Sequence, residues 1–217
     1  MTQLILVRHG QTEWNQTERF RCRADVPLND TGLQQAEATG QYIARLYTPV
    51  AIYAGPLSRT VKTAGAIAKH FGLPVLVEPS LIDLDCGQWQ GLTIEEVKKQ
   101  WPIELQAWYD TPKLVRLPGG ETLEEARSRA MSFVRTLLVS FPEEAVVLVS
   151  HTALNRVILL SVLGLGIEHF WSLGQDTCGV NIIEARQGHF TVVSMNNTGH
   201  LLPLTLERGL NRTAGTV

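Results

Sequence analysis

Short, wholly apolar runs alternate along the chain with longer runs that are apolar on one side only. Parallel strands buried on both faces read as the first kind, and the helices that cover them read as the second, so the pattern predicts an α/β fold. Residues 4–7 and Ala145–Ser150 are the clearest strands, with residues 50–53 and Val75–Val77 as shorter ones. Leu33, Ala36, Thr39, Gly40, Ile43, Ala44 and Tyr47 recur at helical spacing. They predict a helix over residues 31–47, capped by Asp30 or Thr31. Further helices are expected over residues 58–71, 93–100, 121–141 and 152–163, with a short one from the turn at Gly10 through Trp14. Thr93, with Glu96 three residues on, has the spacing of a capping box. Residues 179–184 and 190–193 predict a closing hairpin that turns at residues 186–188. Residues 81–93 hold too many turn formers for a regular element, and residues 101–118, with three prolines, predict an irregular excursion above the sheet.

The architecture expected is a three-layer α/β/α sandwich around a mostly parallel sheet. No repeat, low-complexity block or Gly/Pro/Ser-rich linker interrupts it, so residues 1–217 are taken as one domain with an insertion at about 93–120 and a loosely held tail at 205–217. A chain of 217 residues that is 44% hydrophobic can bury a sizeable core without cross-links or structural metal. Nineteen Lys and Arg against twenty-one Asp and Glu leave a formal charge of -2, which excludes a broad nucleic-acid surface or a polybasic membrane anchor. Cys22, Cys86 and Cys178 are widely spaced with no CxxC pair, which fits a reducing compartment. The N-terminal apolar run has no basic stretch before it and reads as a strand, not a signal peptide. No apolar stretch is long enough to span a bilayer, so a soluble, cytoplasmic protein is expected.

The chemistry gathers at strand ends. The first strand ends in Arg8-His9-Gly10 and the central one in Ser150-His151-Thr152, while Arg59 opens a helix just after the second strand. In an open α/β sheet ligands bind at the carboxyl ends of the parallel strands. Two arginines, two histidines and a helix N-terminus converging there suit a phosphoryl dianion. Asn15 could add a neutral donor. A neutral imidazole can attack phosphorus if one ring nitrogen is held by a hydrogen bond so that the other faces the substrate; the sequence leaves open which nitrogen that is. A single histidine closing an apolar strand is usually only a half-buried polar residue, and joint placement with Arg8 and Arg59 is what singles out His9 and His151. His70, His169, His189 and His200 have no such company and read as structural. Arg19, Arg21 and Arg23 read as a solvated loop face, although one of them could reach the pocket rim.

The motif LVRHGQTEWN at residues 6–15 resembles the signature of the histidine phosphatase superfamily, in its phosphoglycerate-mutase-like branch. The resemblance continues in order through DVPLNDTGLQQA at 25–36, GPLSRTVKTA at 55–64, GQWQGLT at 87–93, GGET at 119–122 and VLVSHTALNRVIL at 147–159. It implies His9 as the phosphorylated nucleophile, with Arg8, Asn15, Arg59 and His151 on the phosphoryl oxygens and neither metal nor cofactor. The proton donor is usually a glutamate in the loop before GxWxG; Asp83 stands there, one methylene shorter, with Asp85 as the alternative. Cys22, Cys86 and Thr152 occupy places expected to shape specificity.

The stretches HTALNRVIL and HFWSLGQDT are similar to those of metal-independent phosphoserine phosphatases. The expected activity is hydrolysis of a small phosphorylated metabolite, with phosphoserine as one candidate. A cofactor-dependent phosphoglycerate mutase and a catalytically weak phosphate-binding regulatory module are the alternatives. A strand at the sheet edge near the closing hairpin could pair across a homodimer.

Overall fold

The computed structural model describes residues 1–16, 19–202 and 204, so the tail expected at 205–217 lies outside the described residues. Six strands form one sheet: β1 (Thr2–Arg8), β2 (Pro49–Ala54), β3 (Val75–Val77), β4 (Ala145–Ser150), β5 (Val180–Arg186) and β6 (His189–Asn197). Their order is β3-β2-β4-β1-β5-β6. The first four are parallel, and β5 and β6 run antiparallel at the open edge.

Alternation along the central strands explains the two layers. Leu4, Leu6, Val146 and Leu148 face one core, packed by α6 (Leu123–Ser140) and α7 (Thr152–Val162). Ile5, Val7, Val147 and Val149 face the other, packed by α2 (Asp30–Leu46) and α3 (Ser58–Ala68). Burial on both faces is why these strands read as unbroken apolar runs.

The remaining elements refine the sequence-based expectations. A four-residue helix α1 (Glu13–Gln16) follows the first turn, and α4 (Ile94–Gln100) carries the expected capping box between Thr93 and Glu96. Helix α2 is capped by Asn29, whose side chain accepts from the Gly32 amide, instead of by Asp30 or Thr31. The stretch expected to be irregular contains α5 (Pro102–Asp110) and a 3-10 turn at Pro112–Leu114. Two of its three prolines occupy first-turn positions, where the missing N–H costs nothing and the fixed φ favours the helix. Leu105 and Trp108 of α5 are buried in the α6/α7 core.

Candidate active site

Strand register places the two histidines. Arg8 of β1 pairs with Ser150 of β4, and the His9 amide donates to the Ser150 carbonyl at 3.0 Å, so His9 and His151 leave adjacent strands side by side. Their ring centroids are 5.2 Å apart. Gly10 must be glycine to complete the turn after His9: a Cβ there would lie 2.5 Å from the Gly32 carbonyl oxygen at the start of α2. Gly55 has the same role after β2, where a Cβ would meet the Leu81 carbonyl oxygen at 2.6 Å and crowd the His151 ring. Arg59 then enters from the first turn of α3, fully buried.

Hydrogen bonds answer which nitrogen of His9 is presented. Nδ1 lies 2.7 Å from the Gly10 carbonyl oxygen, an acceptor only, so Nδ1 carries the proton and Nε2 is left with its lone pair. Burial, then His151, Arg59 and Arg8, hold the His9 pKa well below the usual histidine range, which keeps the ring neutral. His151 is shifted the same way, by burial first and then by Arg59, Arg21 and Arg8. Its Nδ1 is 3.5 Å from Asp83 Oδ2, yet neither ring nitrogen makes a hydrogen bond among the described residues.

The arginines are braced from behind. Arg8 donates through Nη1 to the Gln175 carbonyl at 2.5 Å, and burial pushes its pKa down to about 10. Arg59 donates to the carbonyls of Ala24 and Cys22, each at 2.7 Å, and touches Asp83 at 3.4 Å. The Nε of each is buried without a hydrogen-bond partner among the described residues. Such buried, unsatisfied donors together with the two bare His151 nitrogens are costly unless a polar guest satisfies them. Asn15 closes the turn after His9 by accepting through Oδ1 from the Thr12 amide and hydroxyl at 2.8 and 2.9 Å.

Asp83 and Asp85 have different surroundings. Asp83 keeps Oδ1 on the Leu84 amide at 2.9 Å and turns Oδ2 towards Arg59 and His151. Asp85 faces away: it pairs with Arg23 at 2.9 Å and accepts from the Gly87 amide. The loop that carries both is strapped by Arg129 of α6, which donates to the carbonyls of Ser80, Ile82 and Asp83.

Above the cradle lies a cavity of about 360 Å³ that meets it at Arg8 and Asp83. Thr152, at the start of α7, lines it as expected. Cys22 and Cys86 line it too, joined as a disulfide with Cα atoms 5.8 Å apart, a pairing that their wide spacing in sequence did not foresee. The pair is 64 residues apart in sequence, and only the folded approach of the two loops brings it together.

Several cavity residues were not singled out from the sequence. Arg21 is half-buried and lines the cavity with Arg19, so for these two the alternative of reaching the pocket rim holds and the solvated-face reading does not. Arg156 of α7 and the aromatic wall of Phe20, Trp108, Phe170 and Trp171 complete the chamber. The one signal available for Arg21 was its place after Phe20, an aromatic that favours a packed loop. A second cavity of similar size, at the opposite end of the strands around Met1, Leu138 and Glu143, has no histidine among its described lining residues.

Comparison with known proteins agrees with this geometry. The profile of the histidine phosphatase superfamily (branch 1) matches residues 4–198. The chain is 34% identical over 201 residues to phosphoserine phosphatase 1 of Hydrogenobacter thermophilus, covering 93% of this chain and 95% of that protein. Its fold is similar to that of YhfR from Bacillus stearothermophilus, with a TM-score of 0.89 and 27% identity over 93% of this chain and 100% of that one. A phosphoserine phosphatase from Entamoeba histolytica, solved in complex with phosphoserine, is similar with a TM-score of 0.83 and 27% identity over 93% of this chain and 100% of that one. With a match of that extent, the protein belongs to the histidine phosphatase superfamily, as a phosphatase of its first branch.

Proposed function

We propose that the protein hydrolyses a small phosphomonoester in two displacements through a phosphohistidine at His9. In the first, His9 Nε2 forms a bond to phosphorus as the ester P–O bond breaks, and Asp83 gives its proton to the departing oxygen. In the second, Asp83 takes a proton from water, the water oxygen bonds to phosphorus, and the P–N bond breaks to release phosphate. Arg8, Arg59 and His151 satisfy the phosphoryl oxygens throughout, with the Asn15 amide group as a neutral donor. The observation that carries the reading is the His9 Nδ1 bond to Gly10 O beside four buried nitrogens with no hydrogen-bond partner among the described residues: the Nε atoms of Arg8 and Arg59 and both ring nitrogens of His151.

Phosphoserine is one candidate substrate, supported by relatives that carry that activity in their names; the same names favour hydrolysis over the mutase alternative. The experiment is rapid quench with 32P-labelled substrate. An acid-labile, alkali-stable adduct is expected on the wild type, and none on His9→Ala, whose turnover should fall by roughly 10³-fold or more. An undiminished His9→Ala enzyme would remove the proposal.

We place the protein in the cytoplasm, because its substrate class is a phosphorylated metabolite and no helix among the described residues is long and apolar enough to cross a membrane. The Cys22–Cys86 disulfide weighs the other way. Cell fractionation tests the placement: the protein should be released together with a cytoplasmic marker enzyme. The homodimer expectation rests on β6 at the open sheet edge, and sedimentation velocity tests it.

A further inference from the structure

Asp83 sits in a stretch, residues 82–86, that belongs to no helix or strand. Side chains satisfy much of its backbone instead. The Asp83 carbonyl accepts from two guanidinium groups, Arg129 Nη2 at 3.1 Å and Arg23 Nε at 3.3 Å, which arrive from α6 and from the loop after α1. Two cations converging on one oxygen repel each other unless a negative charge lies between them.

Glu121 supplies that charge. Its Oε1 accepts from Arg129 Nη2 at 2.7 Å and from Arg23 Nη2 at 3.3 Å, and its Oε2 accepts from Arg129 Nε at 3.2 Å. The side chain is only 14% exposed, so water weakens these bonds little. Oε1 also accepts from the Asp85 amide at 2.9 Å, and the Glu121 amide donates to the Asp85 carbonyl at 2.9 Å. One residue thus grips the acid loop from both sides of a peptide while holding the two arginines that grip it two residues earlier. Asp85 shares only Arg23, whereas Glu121 is the one acidic partner of Arg129 among the described residues. Glu121 is not among the residues lining the substrate cavity, so any effect it has on the reaction passes through the loop.

Resting on the phosphatase reading above, with Asp83 as its acid, we infer that Glu121 is a positioning residue: it holds Arg23 and Arg129 on the Asp83 peptide and so keeps the Asp83 carboxyl at the leaving oxygen. Without it, two guanidinium groups face each other across a loop that has no ladder of its own. A displacement of about 1 Å at a reacting group can cost ~10²-fold in rate. Only proton donation feels this shift, because His9 leaves β1 and is braced by Gly10.

The test compares kcat on phenyl phosphate and p-nitrophenyl phosphate, which share a shape and differ in how much the leaving oxygen needs a proton. Glu121→Ala should lower the phenyl-to-nitrophenyl ratio about tenfold, and Glu121→Gln, which fills the same space without the charge, about threefold. Inhibition by inorganic phosphate, which reads the cradle, should stay within about twofold of the wild type in both. In an Asp83→Asn background, where no acid remains to be placed, neither substitution should change the ratio further. The Gln variant carries the test by itself if the Ala variant does not fold. A wild-type ratio in the Gln variant overturns the inference, and so do equal losses on both substrates, a parallel loss of phosphate inhibition, or a full further fall of the ratio in the Asp83→Asn background. Failure of the underlying reading appears separately: a wild-type ratio in Asp83→Asn alone removes the acid, and absence of His9-dependent turnover by the otherwise unaltered protein removes the phosphatase.

Discussion

Two positions separate Asp83 from Asp85, and the hydrogen bonds around them divide their roles. With Oδ2 within 3.5 Å of His151 and its loop clamped by Arg129, Asp83 reaches the cradle despite being shorter than glutamate, whereas Asp85 is tied to Arg23. Asp83→Asn should therefore slow alkyl phosphates by ~10²–10⁴ and p-nitrophenyl phosphate, with its good leaving group, far less. Asp85→Asn should show no such leaving-group dependence, and steady-state rates on the two substrate types check both.

The buried histidines give a pH signature. Their pKa values lie below the ordinary 6.5 because the interior disfavours imidazolium, so His9 remains a neutral nucleophile as the pH falls through 6.5. On p-nitrophenyl phosphate, kcat/KM should stay level there instead of halving. Stability has the same sign: an unfolded chain takes up protons below about 6.5 while the fold does not, so stability is full above that pH and declines below it. A lower urea midpoint at pH 5.5 than at 7.5 is expected. Arg8, His9 and His151 were legible from sequence because strand ends are; Arg21 was read only as one of three loop arginines within reach of the rim, and Arg156 was not read, since it sits on a helix whose pattern carries no sign of what it faces.

At the scale of elements, the strands and the Thr93 capping box were read well, because local rules set them, whereas the α2 cap falls on Asn29, just before the expected positions. Thr122 accepts from the Glu125 amide at 3.1 Å while Glu125 accepts from the Thr122 amide at 2.8 Å, a capping box at the start of α6. Thr122→Ala should lower stability by about 1 kcal/mol in urea titration. Because α6 also carries Arg129, the same helix that closes one core steadies the acid loop. The stretch 101–118 was misread because proline was counted as a breaker without regard to position. Pro102 and Pro112 start helical turns, and Trp108 between them belongs to both the core and the cavity wall.

Across the whole molecule, the Cys22–Cys86 bridge joins the loop that holds Arg21 and Arg23 to the loop that holds Asp83. Cross-linking residues so far apart restricts the unfolded chain, and reduction should cost about 2–4 kcal/mol of stability, read as a lower melting temperature in reductant. No spacing rule could have revealed it. The layered fold was legible because each strand states its own burial, while loop-to-loop contacts exist only once the chain has closed. The in-register pairing of Arg8 with Ser150 has a wider consequence. Neighbouring strands stand about 4.8 Å apart wherever amide meets carbonyl, so the gap between attacking ring and supporting ring is a property of the peptide ladder. Surface loops can be exchanged to admit new metabolites, and that gauge stays set.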